Sequence, residues 1–160
     1  QYMKNISQVH LADFGTRVLY TTAPYNSFDT HAGELMAHAG LWSNTSNAVA
    51  DFYDDLKQNN GSDNVLLLVF SEFGRRIADN GTGTDHGSGG LAFLLGPSVK
   101  GGLYGEYPKL SPGDQLEGDV HYNMDFRDMY ATILDRFMDI DSEPILNGKY
   151  NNLEIVGAKN

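Results

Sequence analysis

The sequence predicts an α/β domain built on a mostly parallel sheet, and three observations lead there. Asn64 to Phe70 contains the unbroken apolar run Val65-Leu66-Leu67-Leu68-Val69-Phe70, and apolar residues without alternation are the pattern of a strand covered on both faces. Ahead of it, from Ser43 to Asn60, Val49, Phe52 and Leu56 fall three and four residues apart with Asp51, Asp54, Asp55 and Lys57 between them. That is the spacing of a helix with one face to bury, closed by Gly61. Earlier still, Arg17-Val18-Leu19-Tyr20-Thr21-Thr22 is β-branched and aromatic and ends at Pro24, which reads as a strand. Strand, helix and buried strand in this order make a βαβ unit, whose crossover is right-handed.

The remaining elements follow in order. Leu91-Ala92-Phe93-Leu94-Leu95, bracketed by Gly89-Gly90 and Gly96-Pro97, reads as a third short strand. Gly and Pro are frequent between Gly101 and Gly118, which predicts a surface loop. Phe126, Met129, Tyr130, Ile133, Leu134 and Phe137 form an amphipathic stripe, so a helix is expected there with Asn123 or Asp125 as its cap. From Asp139 onward, Ile140, Ile145, Leu146, Leu153 and Ile155 are expected to pack as irregular structure. No repeat or linker divides the chain, so residues 1–160 are expected to form a single domain.

Composition narrows the chemistry. The 160 residues hold 11 Lys+Arg against 21 Asp+Glu, a net charge of -10, and no cysteine. Disulfide scaffolds and thiolate zinc sites are excluded, so any metal must be held by His and carboxylate. The acidic balance repels a phosphate backbone and anionic lipid headgroups, so neither nucleic acid nor a membrane is an expected partner. No apolar run approaches the roughly 20 residues that span a bilayer. The chain opens at Gln1 in a polar, helix-like stretch without an initiator Met, which suggests a piece of a longer protein.

In open α/β sheets ligands bind beyond the carboxyl ends of the strands, and the segments at those ends are the most polar in the chain. They are Asn26-Ser27-Phe28-Asp29-Thr30-His31, Ser71-Glu72-Phe73-Gly74-Arg75-Arg76 and Gly83-Thr84-Asp85-His86-Gly87. Carboxylate oxygen and imidazole nitrogen suit zinc, manganese and iron, so Asp29, His31, Glu72, Asp85 and His86 are the candidate ligands. Asp-His pairs also cap turns or bond each other, so each pair alone is weak. Arg75 and Arg76 are candidates to clamp an anion bidentately, unless one of them pairs with Glu72. His38 reads as a helix-surface residue, His10 and His121 lack a site-like context, and Trp42, Tyr104 and Tyr107 read as packing aromatics.

Taken in order and at these intervals, Phe28-Asp29-Thr30-His31, Ser71 to Arg76, Gly83 to Gly87 and Lys100-Gly101-Gly102-Leu103-Tyr104-Gly105-Glu106-Tyr107-Pro108 resemble the carboxy-terminal half of the bacterial domain-of-unknown-function 1501 family. Asp125 to Thr132 and Ile145-Leu146 extend the likeness over nearly the whole chain. That family resembles a branch of the alkaline phosphatase and sulfatase superfamily. The resemblance implies a three-layer αβα sandwich with metals at the carboxyl edge of a mostly parallel sheet. It also implies that Asp29 and His31 stand at the first Asp/His ligand pair, Glu72 at the acidic ligand after a central strand, and Asp85 with His86 at the later ligand loop.

Glu72 departs from the Asp-His dipeptide usual at that strand end. The superfamily's first strand, with its early acidic ligand and nucleophile, has no match here, so no catalytic nucleophile is assigned in this chain. The expected function is therefore the metal-binding half of a hydrolase acting on small anionic phosphate or sulfate esters. Zinc is the first choice of divalent cation, with manganese or calcium as substitutes. The expected partner is the amino-terminal half of the parent or a second copy, and the expected location is the periplasm or the cell exterior, since relatives often carry a twin-arginine export signal. The alternative is a non-catalytic exported protein that keeps the fold around a structural metal or none; a carbohydrate- or surface-binding module is a third reading.

Overall fold

The computed structural model describes residues 1–24 and 27–157; Asn26, the first residue of one candidate ligand segment, lies outside them. Its elements in order are α1 (Tyr2–Leu11), α2 (Glu34–Gln58), β1 (Leu67–Val69), β2 (Gly74–Asp79), β3 (Thr84–Gly87), β4 (Phe93–Leu95), a short 3-10 turn (Pro112–Asp114), α3 (Phe126–Thr132), a π-helical continuation (Ile133–Met138) and α4 (Glu143–Leu146). They fall into two compact units. One comprises Gln1–Val65 with Ala78–Asp85, and the other Leu66–Ile77 with His86 onward.

The first unit is a helical pair. Phe52 and Leu56, from the apolar stripe of α2, are buried, Leu56 completely, and α1 packs against α2. Ser7, also fully buried on α1, donates its hydroxyl to the Asp55 carboxylate. The chain leaves α2 through Gly61, whose N–H donates to the Leu56 carbonyl at 2.8 Å and whose own carbonyl accepts from His10 Nε2 at 2.9 Å. A Cβ on Gly61 would stand 2.6 Å from Leu11 Cδ2, so a larger residue there would make the Leu11 side chain move. α2 starts nine residues ahead of the Ser43 expected from its stripe. Gly33, at φ 63°, supplies the left-handed residue before its first turn.

The second unit is built differently. β1 and β4 pair antiparallel, Leu67 opposite Leu95, Leu68 opposite Leu94 and Val69 opposite Phe93. The Asp125 side chain caps α3 by accepting from the Arg127 N–H at 2.9 Å, and Ala131 and Thr132 on α3 are completely buried. The carboxy-terminal tail is stitched back onto this unit: Lys100 N–H donates to the Ile155 carbonyl at 2.8 Å and Gly157 N–H to the Ser98 carbonyl at 2.9 Å. Strands β2 and β3 pair with each other and, joined by only four residues, must be antiparallel.

Two expectations are overturned. Among the described residues the sheets are two separate two-stranded pairs, so there is no mostly parallel sheet, no βαβ unit and no three-layer αβα sandwich. Arg17 to Thr22 lies in no helix or strand, with Val18 and Tyr20 about 70% exposed; β propensity alone makes no strand. The apolar run at Val65 to Phe70 gives one three-residue strand with a single neighbour, only half-buried. A short apolar run does not by itself reveal whether its strand is central or at an edge.

Physically, too little is buried for a layered sandwich. Among the described residues the buried apolar side chains are Phe52, Leu56, Ala131 and Val156. The accessible surface is 11100 Å², against about 7,900 Å² for a folded monomer of this mass. Among the described residues no helix is long and apolar enough to cross a membrane.

Candidate functional site

In the first unit the loop ahead of α2 carries Asp29, Thr30 and His31. His31 Nδ1 lies 3.2 Å from Asp29 Oδ1, with both side chains partly open to solvent. The hairpin turn rests against this loop. Asn80 Nδ2 donates to the His31 carbonyl and to Asp85 Oδ1, both at 3.1 Å, while its Oδ1 accepts from the N–H groups of Thr82 and Gly83, an Asx turn that shapes the tip. Gly83 is buried with the His31 carbonyl directly above it; a Cβ there would come within 2.8 Å of that group. Glycine is what lets the turn sit this close.

A second set of polar side chains continues from the same loop. α2 places Glu34 and His38 one turn apart on one face. Glu34 Oε2 accepts from the Thr84 hydroxyl at 2.8 Å, and Glu34 Oε1 lies 3.7 Å from His38 Nδ1. The other ring nitrogen of His38, Nε2, lies 2.7 Å from Thr30 Oγ1. With its ring proton on Nδ1, toward Glu34, a neutral His38 would present the Nε2 lone pair to the Thr30 hydroxyl. Phe28 meets the His38 ring edge-on at 6.0 Å and the Trp42 ring at 5.1 Å. The sequence reading left His38 on the helix surface and overlooked Glu34. The signal that finds both is the Glu34-x-x-x-His38 spacing.

The other candidates belong to the second unit, apart from Asp85. Asp85 and His86 are neighbours in β3, so their side chains project to opposite faces of the hairpin. The His86 ring stacks on Phe73 at 3.6 Å and 12°. Glu72 is exposed, its Oε2 3.5 Å from the Ser71 hydroxyl. The two arginines diverge: Arg75 lies over the Phe73 ring at 5.0 Å, while Arg76 Nε donates to Asp119 Oδ1 at 3.0 Å and its Nη2 to the Glu117 carbonyl. Arg76 is thus engaged by Asp119 rather than by Glu72. Gly74, just beyond Phe73, backs onto the Gly89 carbonyl so tightly that no Cβ fits.

A different kind of polar cluster holds the tail. Asp135 accepts from the Ser142 N–H at 2.9 Å, the Ser142 hydroxyl at 3.1 Å and Asn152 Nδ2 at 2.8 Å. Partial burial opposes its ionisation, and the bonds from Asn152 and Ser142 outweigh that and hold its carboxyl below the ordinary range. Asp128 Oδ1 accepts from the Asn151 N–H at 2.8 Å, and the Thr132 hydroxyl accepts from Leu153 N–H at 2.7 Å while donating to the Asp128 carbonyl. These oxygens are occupied by backbone amides and local side chains, so the cluster fastens structure.

The order of motifs seen in the sequence finds its counterpart among known families. The family described as "Protein of unknown function (DUF1501)" matches residues 6–154, a span that includes Asp29, Thr30, His31, Glu34, His38 and every other residue named above from His10 to Leu153. No curated protein and no solved structure matches the chain. The match covers nearly all of the sequence, and the chain belongs to the DUF1501 family.

Proposed function

We propose that this chain supplies cation-binding residues of an exported hydrolase that acts on phosphate or sulfate esters. The observation that carries the reading is the Asp29–His31 pair. Its oxygen and nitrogen stand 3.2 Å apart, and two donors on one tetrahedral zinc, each roughly 2.1 Å from the ion, stand about 3.4 Å apart. A carboxylate and an imidazole, both open to solvent, are also the donor types that zinc and manganese select. The further donors are sought among Glu72, Asp85 and His86, the residues that the sequence resemblance names. A divalent cation held there would neutralise charge on the non-bridging oxygens of a bound ester. The link to the alkaline phosphatase and sulfatase superfamily and the periplasmic or extracellular location rest on that resemblance.

Calorimetric titration of the chain with zinc and manganese tests the reading. Binding is expected, weakened at least about tenfold by Asp29→Ala or His31→Ala, the size of loss that removing one ligand or its support produces. The same titration on Glu72→Ala, Asp85→Ala and His86→Ala identifies the completing donors. No binding, or binding that Asp29→Ala and His31→Ala leave intact, overturns the reading. One tightly held ion with no ester turnover in the full-length parent favours the non-catalytic alternative.

A further inference from the structure

We propose that Thr30 is a nucleophile, activated by His38 as general base with Glu34 orienting the imidazole. The sequence alone assigns no nucleophile: Thr30 neighbours the candidate ligands, but the helix after it is expected only from Ser43, so no helix start follows it closely in that reading. The fold brings Thr30, Glu34 and His38 together within the first unit, from the loop that carries Asp29 and His31 into the first two turns of α2. The arrangement has the parts of a hydroxyl–imidazole–carboxylate relay: a nucleophile within hydrogen-bond reach of a base, and the base oriented by a third group. Thr30 Oγ1 and His38 Nε2 are 2.7 Å apart. His38 Nδ1 and Glu34 Oε1 are 3.7 Å apart, a separation of the looser kind seen in sites without substrate.

Three features set this apart from an ordinary threonine hydrogen bond. Glu34 stands on the Nδ1 side of the ring, which favours the tautomer whose Nε2 accepts from the hydroxyl. Thr84 donates to the other oxygen of Glu34 at 2.8 Å, and the Glu34 N–H donates to the Thr82 carbonyl, so the carboxylate is held from the hairpin turn as well as from its own helix. Phe28 closes on the His38 ring edge-on. Thr30 and His38 are half-buried.

The substrate class rests on the hydrolase reading above; the relay itself needs no cation. With a phosphate monoester, the Oγ1–phosphorus bond forms as the bond from phosphorus to the leaving oxygen breaks. The Thr30 proton passes to His38 Nε2 and from there to the departing oxygen. Water then attacks the phosphothreonine, giving its proton to His38, and Oγ1 leaves and takes that proton back. The net reaction is ester plus water to alcohol plus phosphate, with enzyme unchanged. With an alkyl fluorophosphonate the first half alone occurs: Oγ1–phosphorus forms, fluoride leaves, and the proton is released to solvent through His38.

That reagent is the test, applied to the 160-residue chain in the presence of a chelator and read by intact mass and peptide mapping. One adduct on Thr30 is expected. Thr30→Ser is expected to label at least as fast, Thr30→Val not at all, and His38→Gln about 10²- to 10⁴-fold more slowly, the range a positioned general base contributes. Circular dichroism confirms that each variant is folded, and Thr30→Ser keeps the comparison meaningful if Thr30→Val is not. Labelling elsewhere, no labelling of the folded chain, or a His38→Gln rate equal to the parent's overturns the proposal. Because the chelator removes free metal, failure here leaves the cation titration standing, and failure of the titration leaves this result standing.

Discussion

The two units use similar residues for opposite ends. In the second, the carboxylates of Asp128 and Asp135 and the hydroxyl of Thr132 are occupied by the N–H groups of Asn151, Ser142 and Leu153. In the first, Asp29, Glu34, Thr30, His31 and His38 face one another's side chains. A carboxylate saturated by backbone donors has its lone pairs engaged and stabilises a fold; one that faces an imidazole keeps chemistry available. The lesson is that the partner, more than the residue type, separates a fastening from a site. The units also differ in how they are held, the first by a buried helix stripe and the second by polar stitching around a small apolar centre.

The largest expected effect tests that last contrast. Leu56→Ala removes the fully buried side chain of α2 and should cost about 2–5 kcal/mol, read by urea unfolding followed through the fluorescence of Trp42, the single tryptophan. A loss below about 1 kcal/mol would show that helix packing does not hold the first unit. Next in size, Thr132→Val leaves the Leu153 N–H without its acceptor and should cost about 1–3 kcal/mol, together with faster cleavage of the tail in limited proteolysis. An unchanged cleavage rate would mean that the stitching is decorative.

A smaller effect depends on pH. Bonds from the Arg127 guanidinium and N–H hold the Asp125 carboxyl down from 3.8 to about 2. Its folded pKa is depressed, so its contribution is fully present above 3.8 and is lost as pH falls through the window toward about 2. Asp125→Asn, which keeps an oxygen for the cap, should therefore flatten the acid limb of the stability profile and change little near neutrality; an unchanged acid limb would remove the Arg127 pair from the account. The smallest effect is expected of Arg76→Gln. The guanidinium is nearly half exposed, and loss of its pair with Asp119 should shift stability by less than about 1 kcal/mol in the same urea assay.

What was legible in the sequence follows from where the information lies. The stripe of Val49, Phe52 and Leu56 announced α2, because helix periodicity is local and one buried face is enough to display it. Asp125, one of the two caps the sequence offers for α3 beside Asn123, is the one that forms it. The pairing of β1 with β4 was not readable, since the partner of a strand lies outside the strand and the apolar run is compatible with either orientation. Arg17 to Thr22 shows the converse, good strand composition that is assigned to no strand. In the site, the Asp29-x-His31 spacing marked a close pair because two residues apart in a loop can turn toward each other. Glu34 went unseen because a lone glutamate in a first helical turn usually just complements the helix dipole, and only the position of His38 gives it another meaning.

The stitched tail has a consequence for exchange with solvent. Asn151 and Leu153 lie outside every helix and strand, yet their amide protons are bound to Asp128 and to the buried Thr132 hydroxyl. The Leu153 proton, bound to the buried Thr132, should therefore report the opening of α3 rather than the fraying of a terminus, while the Asn151 proton, in an exposed bond, should exchange faster. A residue can thus look like loop by its backbone and behave, on the timescale of hydrogen exchange, as part of the helix that holds it.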